Sequence, residues 1–148
     1  TLCPEFTQKL FAMPTIETIY TGGLRTEATH LLSGNKLITD APPDNQGRGE
    51  FFSPTDLVAT ALGSCMITVI GIAARTHDFN IDGTRLVITK VMTKEPPRKI
   101  EEIIIDLTFP ENYTDKVKKI IDLTIKTCPV ALSLHPELKQ TVSAHYPH

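Results

Sequence analysis

Two cysteines stand where thiol chemistry is conceivable. Cys65 lies inside the uncharged, largely apolar run "ALGSCMITVIG" (61–71), and Cys128 heads "CPVALSL" (128–134). A thiolate is a nucleophile, whereas a buried thiol more often acts as a small packing group. The residues alone leave both readings open for each cysteine. A thiol of ordinary pKa, about 8.5, is mostly protonated at neutral pH, and burial raises that value unless a cation is near. Arginine is the suitable cation, because it is always charged and carries a planar fork of donors.

Other chemistries are poorly supplied. The third cysteine, Cys3, falls in a segment, 1–12, that reads as an N-terminal extension or expression scar, with Met13 near a natural start. It is set aside from the chemistry. No CxxC pair, HExxH spacing or clustered histidines occur, so neither a metal nor any other cofactor is expected. With 148 residues, 41% hydrophobic and 22% charged, the chain suits one domain, 13–148. A net charge of −2 without a basic run argues against nucleic acid or an anionic membrane as partner. Cysteine usage points to a reducing, cytoplasmic setting.

The elements that must position these residues follow from pattern. Thr15–Tyr20 and Leu24–Leu32 flank a diglycine hairpin turn, and "KLITD" (36–40) follows the tight turn "SGN" as a third strand. "APPDNQGRGEFF" (41–52) is a loop, the kind of segment that often carries function. "SPTD" (53–56) is a helix start: Ser53 as N-cap, Pro54 at the first position, and Asp56 suited to the positive helix end. That helix runs to about residue 75–77. Its central run is apolar all round, so it belongs either to a membrane or to the middle of a core; the amphipathic strands on both sides favour the core. Gly63 and Gly71 cost helix propensity and suggest close approach of another backbone.

Residues 84–95 and 98–109 form a hairpin around Pro96-Pro97. A helix over 114–128 is broken at Pro129, and a short helical piece (130–134) leads to a last strand, 141–146. The order βββ-α-ββ-α-β gives an α+β fold with predominantly antiparallel strands.

Taken together, "YTGGLR" (20–25), "SPTDLVATALGSC" (53–65) and "CPVALSL" (128–134) resemble the OsmC/Ohr family of thiol peroxidases and related proteins. The resemblance runs from about Thr15 to Tyr146. It implies an intertwined homodimer in which antiparallel sheets from both chains wrap around two central helices. It assigns Cys65 as the peroxidatic cysteine, Cys128 as the resolving one, and Arg25 as the arginine that holds the thiolate. The implied function is reduction of organic hydroperoxides at the dimer interface in oxidative stress defence, with an external dithiol as reductant. The alternative is a non-catalytic dimer of the same fold that binds a small hydrophobic ligand.

The family also orients its arginine with a carboxylate, commonly ten residues before the cysteine. This chain has Thr55 there and Asp56 at nine. Nine helical residues rise about 13.5 Å and end about half a turn round, so Asp56 cannot touch Cys65 of its own helix. It is the candidate arginine partner from the other chain, with Glu50 in the preceding loop as the alternative carboxylate.

Overall fold

The computed structural model describes residues 13–148; Cys3 and the expected extension over 1–12 lie outside them. The chain forms two compact units divided between Pro54 and Thr55.

The first unit is a three-stranded antiparallel meander of β1 (Ile16–Gly22), β2 (Arg25–His30) and β3 (Lys36–Asp40). The β1–β2 turn places Gly22, Gly23 and Leu24 in succession at positive φ (95°, 60° and 61°), a conformation that glycine supplies without strain at two of the three positions. β2 and β3 pair in register from Thr29↔Lys36 to Arg25↔Asp40. A single 3₁₀ turn at Pro43–Asn45 opens the loop that follows. That loop folds tightly: a Cβ on Gly47 would sit 1.6 Å from the Ala41 carbonyl oxygen. Every residue of β1 is exposed within the single chain, including the large apolar side chains of Ile16, Ile19 and Tyr20.

The second unit contains α1 (Pro54–His77), β4 (Arg85–Met92), β5 (Ile100–Thr108), α2 (Asp115–Ile125), α3 (Pro129–Ser133) and β6 (Lys139–His145). Pro54 is the first residue of α1, as the helix-start pattern requires. α2 begins at the N-cap Thr114, whose hydroxyl accepts the Val117 N–H at 3.4 Å. The central strand β5 buries Ile103, Ile105 and Leu107 completely, with the period of two of a strand that has one face on a core. Ala59, Leu62, Met66 and Ile70 of α1 join the same core, with Ile121 of α2 and Cys128. An aromatic group of Phe79, Phe109, Tyr113 and Tyr146 closes one part of it, and the Tyr113 hydroxyl donates to the Asn80 carbonyl at 2.6 Å.

β6 runs parallel to β5, the one parallel pairing among the described strands of a predominantly antiparallel fold, because the α2–α3 segment crosses over before the chain returns. Two expectations need correction. What approaches Gly63 is a side chain, not a backbone: a Cβ there would meet Ile88 Cδ1 at 2.4 Å, whereas at Gly71 the nearest atom would be Ile81 Cδ1 at an ordinary 3.8 Å. And α1 is not covered all round within one chain. Its buried residues follow a single face, while Ala61, Ser64, Thr68 and Ile72 are exposed. By length and composition α1 is apolar enough to cross a membrane; the face that is buried packs in the core of the second unit.

Candidate functional site

The first unit gathers charge around Arg25. Residue 25 opens β2 and residue 40 ends β3, and the antiparallel register sets them opposite each other. Arg25 Nε donates to Asp40 Oδ1 at 2.7 Å and Nη2 to Asp40 Oδ2 at 2.8 Å, a two-pronged pair of the kind that adds direction to attraction. Nη2 also donates to Glu50 Oε2. The Arg25 guanidinium carbon lies 4.7 Å from the centre of the Phe51 ring. Asp40 is only 1% exposed. Its second oxygen also accepts the backbone N–H of Glu50 at 3.1 Å, and the Phe51 N–H adds a further bond. The Arg25 bonds, with these backbone donors, hold the Asp40 carboxyl below the usual carboxylate range despite burial. In return, Asp40 first and Glu50 second raise the Arg25 guanidinium above its ordinary value. Arg48 is exposed, in the loop beside Gly23.

The second unit brings the two thiols together. Cys65 is half-buried on α1; Cys128 is 0% exposed and occupies the N-cap position of α3, where Pro129 stops the preceding helix. Both are free thiols. Cys128 Sγ lies 4.0 Å from the Leu62 carbonyl oxygen, one turn before Cys65 on the same helix. Burial, with a hydrogen-bonding contact to Cys65 adding to it, pushes the Cys128 thiol up, against the opposing pull of the Ala131 and Val130 backbone. A buried thiol beside a more accessible one suits a pair in which one sulfur reacts first and the other answers.

Asp56 is engaged in its own chain. Lys90 Nζ on β4 donates to Asp56 Oδ1 at 2.6 Å and to the Thr55 hydroxyl at 2.8 Å. The structure thus brings together Cys65 with Cys128, and Arg25 with Glu50. Sequence reasoning passed over Asp40 and Lys90. The signal for Asp40 was present: the turn at 33–35 fixes which β3 residue faces Arg25 once the hairpin register is written out. Lys90 reads as an outward strand charge, and no sequence signal points it at a helix start.

Among the described residues no group of three or more His, Cys, Asp or Glu is placed to hold a metal ion.

Comparison with known proteins is decisive for family. The model of the OsmC-like protein family matches residues 47–143. The chain belongs to this family. The match includes Glu50, Asp56, Cys65 and Cys128, while Arg25 and Asp40 precede it. Of solved structures, one from Psychrobacter arcticus 273-4, described as an osmotic stress induced and detoxification response protein, is 52% identical. It has a TM-score of 0.87 and the alignment covers 90% of this chain and 97% of that one. An OsmC-like protein from Mycoplasma pneumoniae has the same fold at 20% identity (TM-score 0.75, covering 93% of this chain and 99% of the other). So does an organic hydroperoxide resistance protein OsmC from Legionella pneumophila at 14% identity (TM-score 0.71, covering 90% and 98%). Comparison with curated proteins gave no match. The OsmC-like chain therefore has the α+β fold expected of it, with two three-stranded sheets.

Proposed function

We propose that this OsmC-like chain is a thiol-dependent peroxidase that reduces organic hydroperoxides, working as a cytoplasmic homodimer in oxidative stress defence. The observation that carries the reading is the adjacency of a half-buried free thiol, Cys65, and a fully buried one, Cys128.

In the proposed cycle the Cys65 thiolate attacks the terminal oxygen of ROOH. The O–O bond breaks, a proton is taken up, ROH leaves, and Cys65 becomes a sulfenic acid. The Cys128 thiol then attacks that sulfur and releases water, leaving a Cys65–Cys128 disulfide. An external dithiol reduces the disulfide by exchange and is itself oxidised. Arg25 has the role of stabilising the thiolate of Cys65. The apolar neighbours of the two thiols, including Leu62 and Met66, favour an organic substrate over hydrogen peroxide.

The dimer is supported by surface that one chain leaves uncovered: the apolar residues of β1 and the outer face of α1. The test is consumption of cumene hydroperoxide with dithiothreitol as reductant, comparing the native chain with Cys65→Ser. Consumption that needs Cys65 supports the reading. Equal, slow consumption by both proteins would sink it and favour a ligand-binding dimer.

A further inference from the structure

We infer that Asp40 is the positioning residue for Arg25 and takes the arginine-orienting role expected of a helix-start carboxylate; the inference rests on the proposed action of Arg25 on the Cys65 thiolate. The two candidate acids of the sequence are differently placed. Asp56 is 43% exposed in its side chain and bonded to Lys90 of its own chain. Glu50 touches Arg25 through one oxygen, from a side chain 57% exposed on a loop. Asp40 alone is buried, lies in strand register with Arg25, and grips it at two points.

The geometry of the grip matters. Asp40 takes the Nε–Nη2 edge of the guanidinium, and the Phe51 ring lies against its face. Glu50 Oε2 also accepts from Nη2. Nη1, with two N–H donors, has no hydrogen-bond partner among the described residues. A carboxylate bound along one edge fixes the plane of the fork and leaves the opposite nitrogen for another anion. The backbone N–H groups of Glu50 and Phe51 hold Asp40 itself in place, so its carboxylate does not turn away with the loop side chain of Glu50. A mobile acid could neutralise Arg25 but not aim it. Asp40 can aim it.

The experiment follows iodoacetamide labelling of Cys65 in the full-length protein at pH 6.5, read by peptide mass so that Cys3 and Cys128 are counted separately. Arg25→Gln is expected to slow labelling about tenfold, because the thiolate loses its cation. Asp40→Asn should slow it at least about threefold in the same direction. In the Arg25→Gln background Asp40→Asn should add nothing, because its effect runs through the arginine. Labelling of Asp40→Asn at the native rate or faster, with Arg25→Gln slow, overturns the role of Asp40 and leaves that of Arg25 intact. Native-rate labelling of Arg25→Gln overturns both. Should Asp40→Asn fail to fold, Asp40→Glu decides: it keeps the charge but moves the fork by one methylene. Slowed labelling supports positioning, and native-rate labelling contradicts it.

Discussion

The Cys128 sulfur, buried where Pro129 breaks the chain after α2, lies 4.0 Å from the carbonyl oxygen of Leu62, one turn before Cys65 on α1. Two segments far apart in sequence meet there, one the middle of the long helix α1 and the other a helix break. A half-buried thiol on α1 and a buried one at the break are thereby brought close.

The pair predicts a division of labour. In Cys128→Ser, one equivalent of cumene hydroperoxide should still oxidise Cys65, but steady turnover with dithiothreitol should fall at least about tenfold, one unit on the logarithmic scale of rate. The trapped species is a sulfenic acid, detectable as a dimedone adduct on the Cys65 peptide. Full turnover without Cys128 would remove it from the cycle.

The raised Cys128 thiol carries a stability consequence. The folded state holds this proton more tightly than the unfolded one, so the contribution is complete below the ordinary thiol value. It is lost as pH rises from there through the folded value. Urea midpoints should therefore drop as pH rises above about 8.5 in the reduced protein, and Cys128→Ser should flatten that alkaline limb.

Carboxylates act at the other end of the scale. Asp40 is held low by Arg25, Glu102 by the Thr141 hydroxyl and Lys139, and Glu137 by Lys99. Depressed groups stabilise above their ordinary value and lose that contribution as pH falls through the folded one. Unfolding midpoints should hold steady from pH 7 to about 5 and decline below about 4. Asp40→Asn should remove part of the decline.

Packing at Gly63 gives a purely mechanical prediction. Gly63→Ala forces its new Cβ against Ile88 Cδ1; the overpacking cost of about 1–3 kcal/mol is offset by about 1 kcal/mol of helix propensity, so the net loss in urea unfolding should be about 0–2 kcal/mol. Adding Ile88→Val deletes the obstructing methyl and should recover part of the loss. Additive losses in the double variant would mean the strain lies elsewhere.

Much of this was legible in the sequence. The diglycine turn, the Ser-Pro-Thr-Asp helix start and the break at Pro129 are local signals, and each element they bound lies within a few residues of its expected place. Cys65 and Cys128 emerged only by joining motifs, since either alone reads as packing. What the sequence hid depends on distant geometry. Strand direction leaves no mark on a period of two, so the parallel return of β6 was invisible. Asp40 was legible but passed over: it closes "KLITD" as an ordinary strand-ending acid, and writing out the β2–β3 register from the turn sets it opposite Arg25. Lys90 looks like a solvated strand charge, yet it is only 16% exposed and reaches the start of α1.

The central claim is that Cys65 and Cys128 form a peroxide-driven redox couple, and counting thiols tests it most directly. The reduced protein, treated with one equivalent of cumene hydroperoxide per chain and then denatured, should fall from three titratable thiols to one, with Cys65 and Cys128 joined in the peptide map. Three thiols remaining, with the hydroperoxide unconsumed, would contradict the account.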